Sequence, residues 1–175
     1  MKPIPSYNIT EKTNEFKTQF LFESFGLKSI IKAIEYAPVT KIGTRTVFNL
    51  AFGGYDINKG SIIDDINSNN GDMYIVFNTV LRTVPIFFSR NPEGLILVSG
   101  SDSHDNFITQ CLPNCKKKCR GACKNYQRRI KAYRYFVNKH FEELVIDYVF
   151  SGRINKLQDY FVPYIPNQDY DDILV

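Results

Sequence analysis

The chain has no tryptophan, only two histidines, and no cysteine outside residues 111–123. It has no apolar run near the roughly 18 residues that a membrane-spanning helix requires. Its opening stretch, MKPIPSYNITEKTNEFK, is polar and carries no targeting signal. A cytoplasmic protein that does not enter the membrane is therefore expected. A P-loop, a dinucleotide fingerprint and a Ser-His-Asp set are all missing, which removes the commonest nucleotide-dependent and acyl-transfer chemistries. Acidic residues are absent from 116 to 134.

That last gap marks a charge asymmetry. Nine of the 22 basic residues fall in it: Lys116, Lys117, Lys118, Arg120, Lys124, Arg128, Arg129, Lys131 and Arg134. The remainder is left with 13 basic residues against 18 acidic, so a net-acidic body carries one strongly basic segment. A length of 175 residues fits one domain with a sizeable core, and 43% hydrophobic residues is ordinary for a globular chain. Aromatic character comes from 14 Phe and 11 Tyr.

Residues 1–15 read as a polar N-terminal arm, and residues 16–175 as a single α+β domain. FKTQFLFESFG and KSIIKAIEYAPV alternate and flank Gly26, as two strands joined by a short turn would. TRTVFNLAFGGYD is a third strand, stopped by Gly53-Gly54. Asn69, Asn70 and Asp72 are N-cap candidates for a helix with apolar residues at Ile75, Val76, Val80, Val84 and Phe87. Pro85 is expected to kink that helix or end its regular part. GLILVSGSD suits a buried central strand. Tyr126, Ile130, Tyr133, Phe136 and Phe141 recur at helical spacing, and Ile146–Phe150 reads as a fifth strand ended by Ser151-Gly152. The final Ile-Leu-Val has the character to dock on the body. The order βββαβαβ predicts a mixed sheet with two main helices, an order shared with the ribonuclease-H-like fold.

Four motifs occur in sequence. Asn49, Leu50, Phe52, Gly53 and Tyr55 lie on the third strand; Ser68, Asn70, Gly71 and Asp72 form a turn. Gly100-Ser101 end a strand, and Arg129, Lys131, Tyr133 and Arg134 lie on the second helix. Together they resemble a bacterial domain-of-unknown-function family, numbered six-nine-three-four, over roughly residues 16–175. In that family the Gly-Ser strand end leads almost directly into the Arg-Tyr helix. The resemblance therefore implies that about residues 103–127 are a cysteine-rich, basic insertion at a strand-to-helix junction. It implies no activity.

All four cysteines, Cys111, Cys115, Cys119 and Cys123, fall in CLPNCKKKCRGAC. In a reducing compartment such a cluster points to metal rather than to disulfides. Four thiolates on one ion make a closed structural zinc site, but the usual pair spacing is C-x₂-C, and here it is C-x₃-C three times. A straight helix would string the thiols along one stripe. Pro113 and Gly121 favour a folded loop that lets them converge, with His104 as a substitute ligand. A disulfide or redox role and an uncoordinated loop are the alternatives. The nine basic residues interleave with these cysteines, and Tyr126, Tyr133 and Tyr135 lie nearby as stacking groups, a combination that suits nucleic acid. An acidic protein partner, or a merely solvated loop, is the competing reading.

Gly100-Ser101-Asp102 ends the central strand where open sheets bind ligands, and Arg128, Arg129 and Arg134 near the next helix could meet a phosphate there. Against this, Asp102 could pair locally in a simple turn. Two-metal nuclease chemistry needs converging acids, for which Glu23, Asp72, Asp102 and Glu143 are the candidates, with Asp64-Asp65 in a loop. His140 belongs to the helix stripe as a packed residue, and Asp171-Asp172 read as solvated. The leading expectation is a non-enzymatic binding protein in which structural zinc orders the basic segment for contact with nucleic acid or an acidic protein. The alternatives are a metal-dependent nuclease and a toxin–antitoxin or phage-defence regulator acting through protein contacts alone.

Overall fold

The computed structural model describes residues 5–63, 70–115, 117–120 and 122–175. The chain is α+β and divides into two compact units, residues 1–96 and 97–175.

In the first unit β1 (Thr10–Glu11), β2 (Thr18–Ser24), β3 (Ile30–Ile42) and β4 (Arg45–Asp56) pair antiparallel in sequence order, and β5 (Ser61–Ile63) pairs with β4. This is the expected meander, with longer strands. β3 runs past Pro38 to Ile42 because the register shifts between Pro38 and Thr40, and a bulge tolerates a residue without an N–H. β4 continues through Gly53-Gly54, which sit opposite Ala33 and Lys32 on β3. The glycines thin the sheet there without ending it.

Registers put Phe20 and Phe22 of β2, Ile34 and Tyr36 of β3 and Phe48, Leu50 and Phe52 of β4 on one face. Helix α1 (Met73–Arg90) lies on that face through Val76, Val80, Val84 and Phe87. Phe87 stacks on Tyr36 at 4.5 Å and meets Phe48 edge-on at 4.9 Å. The Tyr36 hydroxyl lies 2.7 Å from the Thr83 hydroxyl, whose own proton goes to the Val80 carbonyl, so Tyr36 is the donor. Each such aromatic contributes about 1.5–3 kcal/mol by burial, and its polar tip stays satisfied. Of the two outcomes expected at Pro85, a kink or an end, the end does not occur: the helix continues to Arg90. The ring is on the exposed side, and apolar contacts on both sides of Pro85 outweigh the missing N–H.

β6 (Leu95–Ser99) crosses the boundary, and its last three residues begin the second unit, which continues with α2 (Phe107–Cys111), a 3₁₀ turn (Leu112–Asn114), α3 (Arg128–Lys139), α4 (Phe141–Leu144), β7 (Ser151–Arg153), β8 (Val162–Pro163) and β9 (Asp172–Leu174). The second expected helix is thus two, broken at His140, whose ring packs on Phe136 at 4.7 Å. The strand expected at 146–150 is absent. Ile146 and Val149 are 80% and 84% exposed, and the strand is β7, starting at the Ser-Gly pair read as its stop. Gly152 is required inside β7 because a side chain there would meet the Tyr170 ring at 2.2 Å.

The terminal Ile-Leu-Val contributes to β9, which pairs antiparallel with both β6 and β7. Asp172, read as solvated, is fully buried. Arg153 donates to it through Nε and Nη2 at 2.9 and 2.6 Å, and Ser99 donates to its other oxygen. The carboxylate is buried because strands on both sides bring it partners. Tyr164 stacks on Tyr170 and Phe141 at 4.8 and 5.6 Å, and burial pushes its hydroxyl up to about 12.

Candidate functional site

The segment between β6 and α3 holds the cysteines and most of the basic residues. It is pinned at both ends by Asp102. This buried carboxylate accepts the Arg129 N–H at 2.9 Å, and the Asp102 carbonyl accepts the Gln127 N–H at 3.1 Å. Gly100 is held tightly beneath: a Cβ on it would lie 2.7 Å from Asp102 and 3.2 Å from the Ile130 nitrogen. The protein's own carboxylate therefore occupies the start of α3, where the sequence allows a phosphate. Asp102 makes the local contact weighed as the alternative, through a backbone N–H of Arg129.

Between these pins the chain folds over through α2, the 3₁₀ turn and a turn closed by Lys118 N–H to the Cys115 carbonyl at 3.0 Å. Lys118 takes a positive φ of 47° there. All four cysteines are free thiols. The sulfurs of Cys115 and Cys119 are 3.5 Å apart. The Asn125 amide reaches the sulfurs of Cys111 and Cys115 at 3.5 and 4.0 Å, and Cys111 also interacts with Cys123. The backbone N–H of Cys119, then its thiol, then the backbone N–H of Lys117 hold the Cys115 thiol down to about 7. For Cys111 the Asn125 amide pulls down, but desolvation and the Cys123 and Cys115 sulfurs outweigh it and raise the thiol. The loop thus sets the Cys115 and Cys119 sulfurs side by side and Cys111 against Cys123, and the donor set is purely soft, a type that zinc accepts. Two sulfurs on one tetrahedral zinc lie about 3.8 Å apart, given Zn–S bonds of about 2.3 Å. The Cys115–Cys119 separation is close to that. Among the described residues no group of three or more His, Cys, Asp or Glu has the arrangement of a ready metal site. His104 stands exposed with its ring against Phe107.

Of the nine basic residues Lys116 lies outside the described residues. Lys117, Lys118, Arg120, Lys124, Arg128 and Lys131 are exposed. Arg129 is half-buried, and Arg134 turns to Asp169 at 2.8 Å and the Tyr170 carbonyl at 3.3 Å. Of the three tyrosines considered for stacking, Tyr133 belongs to the core and Tyr126 is half-buried, while Tyr135 is 69% exposed.

The candidate nuclease acids have local partners. Ser29 donates to Glu23, the exposed residue of β2, and Glu143 on α4 lies 3.6 Å from His140 Nδ1. Asp64 and Asp65 are outside the described residues. Asp72 stands at the N-cap position of α1 without making the expected side-chain cap, because its carboxylate accepts from the Tyr7 hydroxyl at 2.8 Å and the Ser24 hydroxyl at 2.5 Å. Asn70 does not cap either: it clasps the β2–β3 turn, accepting the Lys28 N–H at 3.1 Å and donating to the Lys28 carbonyl at 2.8 Å. Asn69 and Ser68 lie outside the described residues. Sequence reasoning missed this Tyr7–Ser24–Asp72 node, since nothing in the spacing of three residues so far apart advertises it. Lys32 shares the α1 face of the sheet; desolvation lowers its amine, and the nearby Asp72 charge opposes that.

No helix among the described residues is long and apolar enough to cross a membrane. No curated protein and no solved structure matches the chain. One family does match, over residues 4–111. That span starts earlier than the expected 16–175 and stops at the first cysteine. It takes in the strand, turn and Gly-Ser motifs, and leaves the α3 motif and the last three cysteines outside. With more than half of its length matched, the chain belongs to the family of unknown function DUF6934.

Proposed function

We propose that this protein binds nucleic acid through the basic segment between β6 and α3, with zinc holding the four-cysteine loop that presents it. One observation carries the reading. Four free thiols lie in one short segment, two of them with sulfurs 3.5 Å apart, and the segment's exposed side chains, Lys117, Lys118, Arg120 and Lys124, are cationic. The zinc would be held by Cys111, Cys115, Cys119 and Cys123 as a closed structural site, fixing charges that an unlinked loop would leave mobile. Polyanion binding follows from the acid-free run, because released counterions supply most of the affinity.

The test is elemental analysis of freshly reduced protein, alongside Cys115→Ser/Cys119→Ser, followed by nucleic-acid titration across a salt series. About one zinc per chain, lost in the double variant, together with steeply salt-dependent binding, is the expected result. Metal-free wild-type protein would sink the zinc site. Binding to polyglutamate but not to nucleic acid would transfer the surface to an acidic protein partner. Turnover of the nucleic acid with Mg²⁺ or Mn²⁺ would make the protein a nuclease instead.

A further inference from the structure

Helix α3 carries a surface that the cysteine loop does not explain. Its buried side chains, Ile130, Tyr133 and Phe136, lie on one face. At 100° per residue, Arg128, Lys131, Tyr135 and Lys139 fall within one narrow arc on the opposite side. All four are exposed, and the helix RRIKAYRYFVNK contains no acid. The stripe therefore sets two cations, then a tyrosine ring, then a third cation along about 16 Å of helix. Beyond it Glu142 and Glu143 open α4 and end the positive track.

We propose that this stripe takes single-stranded nucleic acid, with Tyr135 stacking on an unpaired base and Arg128, Lys131 and Lys139 contacting the flanking phosphates. The inference rests on the nucleic-acid reading above and narrows it to one helix and one strandedness. A tyrosine face is open to a base that has left its stack, whereas duplex bases are already stacked on each other. Cations on both sides of the ring hold the backbone while the ring holds the base. Because every base has a π-face, such a site tolerates sequence.

The experiment uses the purified full chain with short homopolymeric single-stranded DNA and RNA and a duplex of mixed sequence. Tyr135→Ala should weaken single-strand binding roughly five- to hundred-fold, the range for loss of one stacked base. Tyr135→Phe should keep the affinity, and neither variant should change the salt slope, since no cation is lost. Lys131→Ala should lower that slope by about 0.7. In the unsubstituted protein the Tyr135 ring protons should shift on titration, a readout that does not depend on any variant folding. Unchanged affinity in Tyr135→Ala, still ring protons, or preference for the duplex would overturn the stacking site while leaving nucleic-acid binding intact. Absence of salt-dependent binding to every probe would overturn both. The DNA and RNA arms say which single strand is preferred.

Discussion

Asp102 takes the place at the start of α3 that a bound anion would otherwise fill. Asp102→Ala leaves the Arg129 N–H uncapped, and by analogy with other caps should cost about 1–2 kcal/mol, read as a lower urea midpoint. Asp102→Asn keeps an acceptor and should cost less. A second prediction concerns Cys115, whose thiol is held down to about 7 chiefly by the Cys119 N–H. An ordinary thiol ionises near about 8.5. In reduced, metal-free protein the thiolate is the form present above the pKa, so alkylation of Cys115 should be half-maximal near pH 7 and fall off below it. Mass spectrometry of the labelled peptide checks this, and added zinc should protect it. Little at this scale was legible in advance. The cysteine cluster announces itself by residue type, but Asp102 and Asp172 are distinguished from solvated acids only by their partners. Those partners come from residues 27 and 19 positions away respectively.

Elements show the same division. Periodicity located α1 and the β2–β3–β4 meander, because long alternating or 3.6-spaced runs carry their own evidence. It failed where packing overrides propensity. Ile146, Val149 and Phe150 look like a strand, yet only Phe150 of the three is buried, and three-residue strands such as β7 and β9 are too short to show a period. Pro85 offers a direct test of how much packing overrides. It is exposed and lies inside α1. Pro85→Ala restores an N–H for the Leu81 carbonyl and should stabilise the protein by up to about 3 kcal/mol. Thermal or urea unfolding will measure it, and a decrease in stability would mean that α1 needs the proline's geometry. Gly152→Ala should act in the opposite sense. Its new methyl meets the Tyr170 ring, a clash of the kind that costs about 1–3 kcal/mol.

Across the whole molecule, charge separates by sequence position: the basic segment is acid-free while the rest is net acidic. Nucleic-acid affinity should therefore fall steeply with salt, with a log–log slope of about −4 for a single strand if the six exposed cations of residues 117–131 all engage. A slope near zero would exclude electrostatic capture. β9 bears on how the second unit is made. The strand that bridges β6 and β7 follows both of them in the chain. While a ribosome is still short of Asp172, β6 and β7 lack their shared partner, and Arg153 has no carboxylate to meet. The unit's sheet therefore closes only once β9 has joined it. Chains truncated before residue 172 should leave β7 open to protease while the β2–β3–β4 meander and α1, which pack on each other within the first unit, stay protected.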